Sequence, residues 1–169
     1  MDGYCLGNEG LLYKRYTLNE LCLAMDNLKA RTAKPVATSE QIGEYEDTRL
    51  LETGDWVFPN VHHSLRSIRS PEESAEWIKK RYRSVKLSVA SLKKEVLFKE
   101  VGYPTAGDTL TSEDNQRVLF KLLEITGVKF AYFEAYDQYW KRLFPIEPHW
   151  GLFDKERHPK KFIAEKLKK

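Results

Sequence analysis

The chain is poor in cysteine, has no long apolar run and carries little excess charge of either sign. Its two cysteines, Cys5 and Cys22, form no CxxC spacing, which argues against a disulfide scaffold and against a zinc site. No stretch approaches the roughly 18 apolar residues of a membrane-spanning helix. The N-terminus, Met1-Asp2-Gly3-Tyr4-Cys5, has no basic region followed by a long apolar stretch, so no signal peptide is read there and the compartment stays open. Lysine and arginine (28) nearly balance aspartate and glutamate (25), and the net charge of +3 is too weak to argue for nucleic acid. Internal repeats and low-complexity segments are also lacking. What is present suits a core: 41% hydrophobic and 31% charged residues, in 169 residues that fit one domain.

Short β-type runs alternate with helical periods. Tyr4-Cys5-Leu6-Gly7 reads as a strand, followed by a helix from Leu18 to Ala30 with Thr17 as N-cap and Glu20 three residues on. Pro35–Glu40 and Asp55–His62 read as strands, separated by a polar segment with a loop and a short helix. Ser70-Pro71 opens a helix expected to run to about Leu92, with a break near Ser84. Val96–Val101 is a strand stopped by Gly102-Tyr103-Pro104. Thr111-Ser112 opens a helix to about Thr126, and Val128–Ala135 is a fifth strand. A terminal basic helix, Pro159–Lys168, is expected to turn Phe162, Ile163 and Leu167 inward. Strands alternating with helices imply an α/β fold with parallel pairing. Five strands fall short of a (β/α)8 barrel, which needs about 250 residues.

In α/β folds, sites form at the carboxyl ends of the strands. These ends carry Asn8-Glu9, Ser39-Glu40, Asn60 with His62-His63, Glu100, and Glu134 with Asp137. Carboxylates are costly to bury unless paired or hydrogen-bonded. A set of them on one rim points to an acid-lined cleft. The alternative is that they cap helices or pair with Lys99 and Lys141.

Three blocks carry a family resemblance. Gly7-Asn8-Glu9 after an apolar strand resembles the acid/base strand of barrel-type retaining glycosidases. Lys99-Glu100-Val101-Gly102-Tyr103-Pro104-Thr105-Ala106-Gly107 is similar to the Glu-x-Gly-aromatic-Pro nucleophile motif of glycoside hydrolase family 17, the β-1,3-glucanases and related transglycosylases. Phe133–Lys141 and Glu147–Asp154 resemble that family's last strand and closing loop. The blocks resemble bacterial or archaeal members more than plant ones.

The resemblance implies that residues 1–169 are a single partial (β/α)8 barrel domain holding strands four to eight. The three preceding strand–helix units would be missing, so that Met1 marks a truncation. It implies Glu100 as nucleophile and Glu9 as acid/base, about 5–5.5 Å apart as retention of configuration requires. Asn8 would bond the sugar hydroxyl beside the reacting carbon. Lys141 and Glu147 match positions of a hydrogen-bond network in the closing loop. Glu40, Asn60, His62, Glu134, Gln138, Trp140 and Trp150 join Tyr103 as substrate-binding candidates. Three positions depart from the commoner pattern: Gln138 and His62 stand where plant-type members carry Glu and Tyr, and Tyr103 replaces Trp.

The implied partner is a β-glucan oligosaccharide or polysaccharide, hydrolysed or transferred through a covalent intermediate. No cofactor is needed. Exposed sheet edges would favour self-association or a complementary N-terminal segment. Tyr103 and at least one of Trp140 and Trp150 are expected to stack on sugar rings, and Trp77 to lie in the core. His62 and His63, neighbours on a strand, point to opposite faces, so a site-lining His62 is preferred over a metal site. The basic tail is read as a solvated face. Gly102 and Gly107 lack the Lys-Ser/Thr pair of a phosphate loop. A non-catalytic glucan-binding or assembly fragment is the rival reading. A complete small α/β domain of unrelated function is the third.

Overall fold

Strand and helix alternate along the chain as the periodicity predicts. The computed structural model describes residues 2–62 and 67–168; His63 lies outside them. The chain divides into two compact units. One comprises Met1–Val61 with Tyr82–Lys99, the other His62–Arg81 with Glu100–Lys169. Among the described residues no helix is long and apolar enough to cross a membrane.

In the first unit, β1 (Tyr4–Asn8) pairs in parallel with β2 (Val36–Ser39), Tyr4 opposite Val36 and Asn8 opposite Ser39. Helix α1 (Leu18–Thr32) connects them. Thr17 and Glu20 form the expected capping box, satisfying two amides that a helix start leaves open. The helix buries Leu21 and Met25, four apart on one face, and ends at Ala33 in the left-handed conformation. The polar segment resolves into a 3₁₀ turn (Ile42–Glu46) and α2 (Thr48–Thr53), capped by Asp47.

The next two strand expectations are each split. Asp55–His62 becomes β3 (Trp56–Val57) and β4 (Asn60–Val61), because Pro59 has no N–H to give a ladder. Val96–Val101 becomes β5 (Glu95–Val96), parallel to β3, and β6 (Phe98–Val101). The Leu97 N–H donates to Val57 O at 3.0 Å and the Lys99 N–H to Pro59 O at 2.9 Å, so the chain changes partner as it passes from β5 to β6.

Helix α3 (Pro71–Ser88) starts on the expected Ser70 cap, which exchanges hydrogen bonds with Glu73. It runs through Ser84 unbroken and stops before Leu92. A turn follows it, with Lys93 in the left-handed region. In the second unit, β6 continues through Glu100 to Val101, and the Phe133 N–H that follows β7 (Phe130–Tyr132) donates to Val101 O at 2.8 Å. Helix α4 (Glu113–Glu124) is capped by Ser112 and buries Leu119, Phe120 and Leu123. Phe120 is in ring contact with Phe130, Tyr132 and Phe162, the last from α5 (Lys161–Leu167). Leu167, expected to face inward, is 67% exposed in the last turn of α5.

Candidate active site

Each unit carries one group of polar side chains at strand ends. In the first, the Glu9 N–H extends the β1–β2 ladder by donating to Ser39 O at 2.8 Å. Glu9 itself has φ 53°, a left-handed conformation that non-glycine residues seldom take. The next residue must be glycine, since a Cβ on Gly10 would come within 2.0 Å of the Tyr16 ring. The Glu9 carboxyl receives two amide donors on one oxygen. Gln41 Nε2 lies 2.5 Å and Asn60 Nδ2 2.9 Å from Oε1. Asn60 Nδ2 also reaches Asn8 Oδ1 at 3.1 Å, and Lys99 Nζ lies 3.3 Å from that same oxygen. Asn8, Glu9 and Asn60 are thus brought together, along with Gln41, which sequence reasoning missed.

Glu40 is a correction. The sequence places it among the substrate-binding candidates, but it is fully buried and its carboxylate is occupied by its own unit. Tyr16 Oη donates to it at 2.6 Å, Thr38 Oγ1 at 3.1 Å and the Leu11 N–H at 3.1 Å. Burial, reinforced by the Glu40 carboxylate, pushes the Tyr16 phenol up to about 12, so it stays a donor across the whole neutral range. Glu40 therefore clamps the turn that follows Glu9.

In the second unit, Glu100 sits on β6 with its Oε2 3.2 Å from His62 Nε2. The His62 ring stands edge-on to Phe133 and Trp150, at centroid distances of 4.8 and 5.4 Å. Gly102 lets these elements close: a Cβ there would lie 2.1 Å from Phe133 O and 2.7 Å from the Trp150 ring. Glu134 is held by Lys141, 3.0 Å from both carboxyl oxygens, and by Gln138. For this strand-end Glu the pairing alternative is realised. Burial holds the Glu134 carboxyl above its ordinary range, with Asp137 and Glu100 adding to the effect and Lys141 opposing it.

Two more expectations are corrected. Tyr103 is not a stacking platform: it is 2% exposed, and its hydroxyl donates to Arg69 O and Leu110 O at 2.7 and 3.0 Å. Of the two tryptophans, Trp150 is buried at 3% exposed, whereas Trp140, at 62%, is open to a ligand. Glu147 does not join Lys141; it accepts from the Phe144 N–H of its own turn at 2.9 Å. The tail also contains a buried cation. Lys160 donates to Asp137 Oδ1 and Thr105 Oγ1, both at 2.7 Å, and Asp137 Oδ1 accepts from the Gly151 N–H. One ammonium thus ties the turn after Glu100 to the closing loop.

The sequence model of the BtgE/BtgC glycoside hydrolase domain matches residues 1–151. The chain belongs to this family. The BtgE/BtgC-type chain is 25% identical over 151 residues to the putative glucan endo-1,3-beta-glucosidase btgC of Aspergillus niger, covering 75% of this chain and 22% of that protein. It is 23% identical over 132 residues to the probable family 17 glucosidase SCW10 of Saccharomyces cerevisiae, covering 74% and 34%. It therefore spans about a fifth to a third of the length of these curated relatives. The crystal structure of a glycoside hydrolase family 17 beta-1,3-glucanosyltransferase from Rhizomucor miehei superposes with a TM-score of 0.80 at 21% identity, covering 96% of this chain and 63% of that one. These relatives support family 17 and an α/β fold with parallel strands. They are fungal, and nothing among them favours a bacterial or archaeal type.

Proposed function

We propose that this BtgE/BtgC-type domain carries out retaining glycosyl chemistry on a β-1,3-linked glucan, with Glu100 as nucleophile and Glu9 as acid/base. A Glu100 carboxylate oxygen bonds to the anomeric carbon as the glycosidic C–O bond breaks. The departing oxygen keeps the electron pair and takes the Glu9 proton. Water or a sugar hydroxyl then attacks the anomeric carbon, gives its proton to Glu9, and returns the electron pair to Glu100. Water yields hydrolysis and a sugar hydroxyl yields transfer. On this reading β1, β2, the β3–β4 segment, the β5–β6 segment and β7 stand for strands four to eight of a (β/α)8 barrel. Asn8 bonds the hydroxyl beside the reacting carbon, and His62 orients Glu100.

The observation that carries the reading is the setting of the two family-matched carboxylates. Each stands at the carboxyl end of a strand and each is held by a neighbouring polar side chain: Glu9 by Gln41 and Asn60, Glu100 by His62. The names of the relatives supply the glucan. The test is covalent labelling with a 2,4-dinitrophenyl 2-deoxy-2-fluoro-β-laminaribioside, whose leaving group needs no proton. Mass spectrometry is expected to find the sugar on Glu100. Glu9→Gln should still be labelled, and Glu100→Gln should not. A label on another residue, surviving in Glu100→Gln, would overturn the assignment. Laminarin binding with neither label nor turnover would favour a non-catalytic glucan-binding domain.

A further inference from the structure

As proton donor Glu9 has two oxygens that could carry the proton, and the geometry of the first unit makes them unequal. Gln41 follows β2 and begins the 3₁₀ turn Ile42–Glu46, and its backbone forms a parallel bridge with Asn60. The backbone thereby brings two amide side chains to the same carboxyl. Asn60 has its orientation set independently, because its Oδ1 accepts from Ser39 Oγ at 2.6 Å and its Nδ2 must then face Glu9. Gln41 Nε2 meets the same oxygen, Oε1, from its own side.

An oxygen that accepts two N–H bonds has its lone-pair directions occupied. A carboxylic acid held in this way carries its proton on the other oxygen. We propose that Gln41, together with Asn60, is a positioning residue that places the transferable proton of Glu9 on Oε2 and fixes the carboxyl plane for delivery to the departing glycosidic oxygen. This rests on the assignment of Glu9 above and adds to it a residue between two blocks of the family resemblance. Once the proton has left, the same two donors face the new carboxylate and strengthen as charge develops.

The test compares kcat/KM, which reports bond cleavage, for two substrates. Laminaripentaose needs a proton on its leaving oxygen, and 2,4-dinitrophenyl β-laminaribioside does not. For Gln41→Met, laminaripentaose is expected to lose about tenfold to a hundredfold, the order that misplacing a reacting group costs. The dinitrophenyl substrate should fall far less. Gln41→Glu keeps the shape but offers an acceptor at neutral pH, and its selective loss should shrink as the pH falls and the new carboxyl takes up a proton. Equal losses on both substrates would mean that Gln41 is merely structural and would overturn the proposal, as would no loss on either. Glu9→Gln is the control. If it shows no leaving-group selectivity, the assignment of Glu9 itself fails, whereas selectivity in Glu9→Gln without any in Gln41→Met rejects the role of Gln41 alone.

Discussion

Single side chains do different work here from what their types suggest, and Lys160 shows it most sharply. In a basic tail a lysine is ordinarily a solvated charge, but this one is 6% exposed, with Asp137 and Thr105 both 2.7 Å from its Nζ. Removing one partner of a buried ion pair strands the other charge, which typically costs about 3–5 kcal/mol. Lys160→Met is therefore expected to lower the unfolding free energy obtained from urea titration by an amount in that range. The double variant with Asp137→Asn, which leaves no stranded charge, should recover a large part of it. A single variant as stable as the parent would reject the clamp. Glu40 teaches the same lesson in reverse. In the sequence it is one of several strand-end glutamates, indistinguishable from Glu9 or Glu100. The pleat turns successive side chains to opposite faces, and which face meets the Tyr16 hydroxyl is decided by a turn that residue types do not specify. Gln41 was illegible for a related reason. Its partner Glu9 lies 32 positions away, and no local pattern marks an amide as the neighbour of an acid.

Elements were more legible than side chains because their signals are local. Thr17, Ser70 and Ser112 each cap the helix their position announces, since a hydroxyl just before a helical run satisfies amides within three residues of itself. The splitting of two expected strands is not local, because the partner exchange between β5 and β6 depends on where Pro59 falls in a neighbouring segment. The contact between α4 and α5 gives an element-scale prediction. Glu165 on α5 receives Lys121 Nζ at 2.5 Å and Arg117 Nη1 at 2.8 Å from α4. Those two hydrogen bonds, Lys121 first, hold its carboxyl down at about 2, against an ordinary value of 4.5. A carboxyl depressed in the folded state adds stability that is present above its unfolded value and is lost as the pH falls through the folded one. Wild type should therefore exceed Glu165→Gln in stability at pH 6, and the gap should close between about pH 4.5 and pH 2. Thermal unfolding of both across that range checks it. A gap that does not change with pH would show that the two cations do not act through the charge of Glu165.

At the scale of the whole molecule, neither compact unit is a continuous stretch of chain. The polypeptide passes from one to the other between Val61 and His62, between Arg81 and Tyr82, and between Lys99 and Glu100. The second of these passages lies inside α3, a single helix from Pro71 to Ser88. Composition gives no hint of it, because no shift in residue usage marks a boundary there; the helical period simply runs on. Either part of α3 alone, 71–81 or 82–88, is shorter than the roughly 12–15 residues an isolated helix needs, so α3 links the unfolding of the unit that holds its first turns to that of the unit that holds its last. Urea unfolding followed by fluorine NMR of fluorotryptophan-labelled protein should show the Trp56 signal of the first unit and the Trp150 signal of the second lost at one midpoint. Arg81→Pro would break the helix where the chain changes unit, at a cost of about 3 kcal/mol or more, and should move both signals together. If Trp56 and Trp150 report separate midpoints in the parent protein, the two units unfold independently and α3 does not couple them.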